Sequence, residues 1–476
     1  MTKPLMISLA LATTLFVVAG CATLQPPVPE AAPAVPAEWP LPATTAPATA
    51  APAAADGATA LAADIGWRDF FADPRLDQLV EQALDNNRDL RVAMLNVERA
   101  RAQYRIQRAD RMPSLGAEAS MTRSGGDGLD FSESYTASAG IAGFELDLFG
   151  RVHNLSQAGL QQYLATEEAR TSAQLALIAE VANTWLTLAA DRELLSIARD
   201  TLASHEASFK LTEQRHALGA VSGLDVSQAR TVVETARSDV ARFEGQVAQD
   251  RNALALLVGG VVEPSLLPDA FTPEVSGLAA LPAGLPSEVL LRRPDVLAAE
   301  HQLRAATANI GAARAAFFPS ITLTGSIGST SDELSGLFNG GNGVWSFIPR
   351  VNIPIFQGGR LSAALGMATA DRDIALAQYE KAIQSGFREV SDALVLSRTL
   401  AEQRAAQEAL LAAATRAHEL SQARYDAGQD SYLVSLDAQR TLYAARQSLV
   451  ATQLAEQANR VTLYKVLGGG WNETGT

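Results

Sequence analysis

The side chains with the strongest chemistry are few in this sequence, and they are scattered. Cys21 is the sole cysteine, which rules out both an intrachain disulfide and a thiolate metal cluster. The five histidines, His153, His205, His216, His301 and His418, never occur at the His-Glu-x-x-His spacing that places two imidazoles on one helical face. No Gly-x-x-x-x-Gly-Lys loop is present to cradle a phosphate, and no Ser-x-x-Lys pair to activate a hydroxyl. The sequence reads as that of a protein that is not an enzyme and needs no cofactor or metal. Its informative residues lie instead in a phrase that occurs twice, Arg215-His-Ala-Leu-Gly-Ala-Val-Ser-Gly-Leu-Asp225 and Arg424-Tyr-Asp-Ala-Gly-Gln-Asp-Ser-Tyr-Leu-Val-Ser-Leu-Asp437.

Aligned without a gap, Arg215 falls on Arg424, Gly219 on Gly428, Ser222 on Ser431 and Leu224 on Leu433. Each copy separates two long helical patterns, so the chain folds back on itself at two equivalent points. Gly219 and Gly428 supply the positive φ that ends a helix, with Ala220 and Gln429 next in each turn. Proline is absent between Pro113 and Pro264 and after Pro354. Since proline inside a helix costs about 3 kcal/mol or more, these two intervals permit very long helices. The first, from about Asn154 to Arg215, would run ~60 residues or about 90 Å, a length that implies coiled-coil packing. Ala229, Val233, Ala236, Val240, Phe243, Val247, Leu254 and Leu257 then follow a four-three alternation broken at Asp250.

Elsewhere the period changes from helical to two. Phe144, Leu146 and Leu148 alternate with Glu145 and Asp147, and Ile321, Leu323 and Ile327 with Thr322, Thr324 and Ser326. Trp345, Phe347, Val351, Ile353 and Ile355 share one face of a further run. With glycine-rich connections, these runs predict two β-hairpins, about 115–149 and 320–356. The order is helix, hairpin, long helix, turn, helix, performed twice: 63–280 with its helical hairpin at about 150–258, and 281–472 with its own at about 359–467. The opening segment, Trp67-Arg-Asp-Phe-Phe71 followed by Asp73-Pro74, starts a helical pattern that runs past Asn86-Asn87 to about Arg111.

Net charge −14 argues against a nucleic-acid partner, because phosphate binding needs clustered Lys and Arg. Residues 1–20 have the plan of an export signal: Lys3, an apolar run from Leu5 to Val18, then small residues. Phe16-Val-Val-Ala-Gly-Cys21 is similar to a bacterial lipobox, whose cysteine is lipidated after cleavage, and Ala22 in place of aspartate suits the outer membrane. Residues 22–62, rich in Ala, Pro and Thr, are expected to form an extended linker behind that anchor. Four strands per chain cannot close a membrane barrel, which needs at least ~8, and open edges cannot face lipid. Three copies would supply twelve.

Leu285-Pro-Ser-Glu-Val-Leu-Leu-Arg-Arg-Pro-Asp295, Ala298-Ala-Glu-His-Gln-Leu-Arg304 and Ala308-Asn-Ile-Gly-Ala-Ala-Arg-Ala-Ala-Phe-Phe-Pro-Ser-Ile321 resemble the TolC-like outer-membrane efflux family. Asp437-Ala-Gln-Arg440 and Tyr464-Lys-Val-Leu-Gly-Gly-Gly-Trp471 are similar to its lipoprotein branch, the outer-membrane channels of tripartite RND multidrug pumps. The resemblance covers residues 63–472. It implies a mainly α-helical homotrimer with a β-barrel in the outer membrane and a helical tunnel in the periplasm. Such a channel is a passive exit duct that receives drugs or small solutes from an inner-membrane RND pump through a periplasmic adaptor (membrane fusion) protein.

The resemblance also assigns residues. Leu433 and Asp437, one helical turn apart, fall where the family has its periplasmic constriction, and Asp225 at an acidic position near it. The turns at Gly219, Ala220, Gly428 and Gln429 fall at the adaptor-docking tips. Val434 stands where the TolC pattern has a further aspartate. Arg292-Arg293-Pro294-Asp295 reads physically as a helix start, with proline in the first turn and a carboxylate at the N-terminus. Two other readings share parts of this pattern. One is the exit duct of a type I protein-secretion system, and the other is a periplasmic coiled-coil lipoprotein without a pore.

Overall fold

The computed structural model describes residues 24–32, 36, 65–71, 73–269, 271 and 287–469. The expected export signal and Cys21 lie outside the described residues. The helices are α1 (Trp67–Phe70), α2 (Pro74–Asn86), α3 (Arg88–Ala109), α4 (Arg151–Ala217), α5 (Gly223–Val258), α6 (Pro294–Ala315), α7 (Arg360–Asp426) and α8 (Tyr432–Val466). The strands are β1 (Leu115–Gly126), β2 (Leu129–Leu146), β3 (Ser320–Ser331) and β4 (Gly343–Asn352). Helix, hairpin, long helix, turn and helix thus occur twice, as the sequence predicts. The shift that carries Arg215 onto Arg424 also carries Arg151 onto Arg360 and Ala217 onto Asp426. α4 and α7 therefore begin and end in register, each with 67 residues.

One expected helix is two. The pattern through Asn86-Asn87 breaks at Asn87, whose backbone is extended. The side chain of Asn87 accepts from the Leu90 amide at 2.9 Å and donates to the Leu257 carbonyl at 2.8 Å. It thus caps α3 while holding a remote helix end, and a local periodicity carries no sign of that second tie.

The chain forms two compact units, each drawing on both repeats. One comprises residues 1–32, 95–168 and 297–381 and holds the sheet. The strands run antiparallel in the order β1-β2-β3-β4, so that the two hairpins join through β2 and β3. A bulge at Ala142-Gly143 adds one residue to β2, and the Gly143 amide donates to Thr324 Oγ1 at 3.1 Å. Ile141 and Phe144 thereby stay on the same face.

The second unit comprises 33–94, 169–296 and 382–476. Its main core gathers Trp67, Phe70, Leu79, Trp185, Leu254 and Tyr464 with their neighbours. Phe70 stacks on Tyr464 at 4.0 Å, the Tyr464 hydroxyl donates to the Ile65 carbonyl at 2.7 Å, and Trp185 Nε1 donates to the Leu266 carbonyl at 3.1 Å. The rings of Trp185 and Tyr464 bury large areas while their polar tips stay satisfied. In α5, Ala229, Val233, Ala236, Phe243 and Leu254 of the expected stripe are buried. α4 contains a window apolar enough to cross a membrane by composition, and 61% of it is buried within the protein, as in a core helix.

Candidate functional site

In the second unit the two repeated turns have nearly the same backbone. Gly219 has φ 74° and Gly428 φ 73°. The Ala220 amide reaches back to the Arg215 carbonyl at 2.8 Å, and the Gln429 amide to the Arg424 carbonyl at 2.9 Å. Only a residue without Cβ takes this left-handed conformation cheaply, which accounts for glycine in both copies.

The turns differ in how the next helix starts. Ser222 and Asp225 form a reciprocal capping box, Ser222 accepting from the Asp225 amide at 3.2 Å and Asp225 from the Ser222 amide at 2.9 Å. The equivalent pair is Ser431 and Val434, and Ser431 makes no side-chain cap. The second turn is held instead by Arg424, whose guanidinium grips Asp430 through two bonds of 2.6 and 2.9 Å. That guanidinium keeps the Asp430 carboxyl below its ordinary range. The two turns are also tied together. Arg215 Nη1 donates to the Tyr425 hydroxyl at 3.0 Å, and Ala229, Val232, Tyr432 and Leu436 pack with Phe209 and Tyr425 beneath them.

On α8 this packing turns Tyr432 and Leu436 inward and leaves Leu433 and Asp437 exposed one turn apart, Leu433 at 55%. The exposed line continues through Arg440, Thr441 and Ala444. The helical spacing places the two expected constriction residues on one open face. Asp225 lies on the first hairpin instead, and its carboxylate is engaged in the capping box.

Arg293 sits at the start of α6 and is 7% exposed. It pairs with Asp295 at 2.7 Å and Glu389 at 2.9 Å, and its Nη1 donates to the Val466 carbonyl at 2.8 Å. Burial disfavours its charge, but the two carboxylates outweigh this and hold its pKa above the ordinary value. Through Arg293 the Arg-Arg-Pro-Asp motif therefore fastens three helices together. A cavity of about 710 Å³ lies among α4, α5, α7 and α8, lined by Glu180, Asp250, Glu389 and Asp392 against the single cation Lys465. Asp250 faces Asp191 across the α4–α5 hairpin, and burial, then that neighbouring carboxylate, push its pKa up to about 7. Among the described residues no group of three His, Cys, Asp or Glu side chains is placed to hold a metal ion.

In the first unit the sheet is amphipathic across all four strands. The register places Leu115 beside Ile141, Phe144 beside Leu323 and Ile327 beside Trp345 on one face. The other face carries Glu118, Ser138, Thr136, Thr330, Ser326 and Ser346, with Thr136 bonded to Thr330 and Ser326 to Ser346. The apolar face is uncovered, with Trp345 78% and Ile327 70% exposed. On the polar face Gly140 and Gly328 let β2 and β3 approach closely. A Cβ at Gly140 would lie 2.2 Å from the Gly325 carbonyl, and one at Gly328 2.3 Å from that of Ala137. Glycine at these two positions lets the strands close up and the sheet bend there.

A duplicated helical hairpin joined to an amphipathic four-stranded sheet defines a class of outer-membrane channel protein. The profile of that class, outer membrane efflux protein, matches residues 79–260 and 285–469, and the chain belongs to this family. A probable efflux pump outer membrane protein of Pseudomonas putida, TtgC, is 46% identical over 99% of this chain and 97% of its own length. Outer membrane protein OprJ of Pseudomonas aeruginosa is 46% identical over 86% of this chain and 87% of its own. Among solved structures, the open state of the MtrE outer membrane channel of Neisseria gonorrhoeae superposes with a TM-score of 0.85 at 38% identity, covering 96% of this chain and all of that one. CusC superposes at 0.84 with 41% identity, covering 94% of this chain and all of that one. The family places the protein in the outer membrane.

Proposed function

We propose that this protein is the outer-membrane channel of a tripartite RND-type efflux pump, a passive duct for drugs or small solutes that closes at its periplasmic end. The observation that carries the reading is the sheet. It has a continuous apolar face and a Ser/Thr-rich face, while β1 and β4 each have one neighbour. Edges like these cannot face lipid, so the sheet has to be completed by further copies. Three copies give twelve strands, above the ~8 that a closed barrel needs, and strands of 10 to 18 residues reach across a core that takes ~9–11 when tilted. The apolar face then meets lipid and the Ser/Thr face lines the pore.

In such a trimer Leu433 and Asp437 would repeat three times about the axis, forming an apolar and an anionic ring. Their shared exposed face on α8 supports this, as does the similarity to efflux-pump relatives. The turns at Gly219-Ala220 and Gly428-Gln429 would meet the adaptor protein, and the inner-membrane pump would supply the energy. Cys21 would carry the lipid that fixes the chain to the outer membrane.

Purified trimer in a planar bilayer tests the reading. Discrete conductance steps that grow when the constriction is loosened are expected. A trimer that never conducts, even with Leu433 and Asp437 both replaced by alanine, would leave the protein a spacer.

A further inference from the structure

Two of the five histidines lie in the second unit near the ends of the long helices, His205 on α4 and His418 on α7. His205 is 8% exposed and His418 half-buried. The Nδ1 atom of each is enclosed by protein and meets no hydrogen-bond partner among the described residues. His205 lies twelve residues before the end of α4 and His418 eight before the end of α7. They therefore sit about 18 and 12 Å behind the two turns at 1.5 Å per residue.

The charges around them are mostly of one sign. From α8, the charge of Arg440 acts on His205 and that of Arg446 on His418, and His418 itself acts on His205. Next to His205 on α4, Glu206 is turned outward and held by Arg237 of α5 at 3.0 Å, which also pairs with Glu234. The carboxylate acting on His418 is Glu419 of α7, which Arg416 engages at 3.1 Å. Burial first, then the neighbouring cations, depress the pKa of both imidazoles. An imidazole kept neutral among arginines adds little repulsion, but one that takes a proton adds a cation to a site already rich in them.

We propose that His205 and His418 form an acid-sensitive latch: neutral, they let α4, α7 and α8 pack together; protonated, they repel one another and Arg440 and Arg446, releasing the helix ends that carry the two turns. The sign follows from linkage. A histidine whose pKa is lower when packed favours the packed state fully above its ordinary pKa of about 6.5, and that contribution is lost as pH falls through the packed-state value. Mild acid therefore loosens the end of the hairpins where the duct is proposed to close. The gating consequence rests on the channel reading; the opening of the helices does not.

The test compares the full-length protein with a His205→Gln, His418→Gln double variant, which keeps polar side chains of similar size but cannot charge. Hydrogen exchange over 205–217 and 418–426, corrected for the intrinsic pH dependence, reads the helices directly. Single-channel recording reads the gate. Lowering the pH from about 7.5 to about 5.0 is expected to raise amide opening and conductance several-fold in the native protein and to change both by less than about 1.5-fold in the variant. An equal response in both proteins, or none in the native protein, overturns the latch. A native exchange response that the variant lacks, with no conductance at any pH, supports the latch and defeats the channel reading instead. If the double variant fails to fold, each single variant is expected to keep roughly half of the native exchange response, and a full response in both singles overturns the proposal.

Discussion

Arg215 Nη1 donates to the Tyr425 hydroxyl at 3.0 Å, and its guanidinium lies 5.3 Å from the Tyr425 ring centroid. Arg215 is the first residue of the first repeated phrase, and Tyr425 is the second residue of the other. One side-chain pair thus ties the first long helix to the second just before both chains turn. Both contacts break together if the hairpins separate, so the pair opposes opening.

Tyr425→Phe removes the hydrogen bond and keeps the ring, at a cost of about 1 kcal/mol, or roughly fivefold in an opening equilibrium. Conductance of purified trimer, or leakage of a large antibiotic into cells expressing it, is expected to rise by that order. Arg215→Ala, which removes both contacts, is expected to do more. Equal conductance for all three proteins removes the pair from the gate.

Leu433 and Asp437 make a separate prediction because neither is packed. Leu433→Ala with Asp437→Ala leaves the Tyr432 and Leu436 layer intact, so folding and thermal stability are expected to change by less than about 0.5 kcal/mol. Conductance is expected to rise and cation preference to fall, since the proposed apolar and anionic rings would both be lost. A stable trimer with native conductance and native ion preference puts the constriction elsewhere.

The missing cap on α8 can be supplied. Val434→Asp recreates opposite Ser431 the box that Ser222 and Asp225 form in the first copy. It should stabilise the first turn by about 1 kcal/mol, slowing amide exchange there roughly fivefold. If the looser start of α8 is part of the gate, conductance falls with it. Unchanged exchange at the start of α8 shows that the box does not form.

What the sequence displayed was what local chemistry demands. Gly219 and Gly428 were legible because the left-handed turn tolerates little else, the long helices because proline is absent from them, and the strands because their faces alternate. Ser222 and Asp225 lie three residues apart and carry the spacing of a capping box. What stayed hidden depends on partners far along the chain. Asn87 breaks a helix through its tie to Leu257, and Arg293 meets Glu389 and Val466 only after folding. Asp250 was visible as a break in the heptads, but nothing near it pointed to Asp191. The Arg215–Tyr425 contact joins two copies of one phrase that an alignment sets side by side without saying that they touch.

The proposed lipid anchor makes a prediction independent of the proposed gate. Cys21→Ser leaves no thiol anywhere in the chain to carry a lipid. Incorporation of labelled fatty acid is expected to vanish, and the protein to migrate as its unprocessed precursor. Labelling that persists in the variant places the lipid elsewhere and refutes the assignment.

Asp191 and Asp250 give a dependence on pH opposite in sign to that of the histidines. Burial, and then the neighbouring Asp191 carboxylate, push Asp250 up to about 7, while burial also raises Asp191 against the pull of its neighbours Asp250 and Arg242. Each carboxyl therefore holds a proton more readily than an ordinary aspartate does. A carboxyl whose folded pKa lies above its unfolded value favours the fold while protonated, and that contribution is lost as pH rises from about 4 through about 7. The α4–α5 hairpin is expected to resist exchange better at about pH 6 than at about pH 8. Asp250→Asn, which keeps a donor to Asp191 at every pH, should abolish the difference and stabilise the hairpin in the alkaline range. A variant that loses protection between those values as steeply as the native protein shows that the pair does not share a proton.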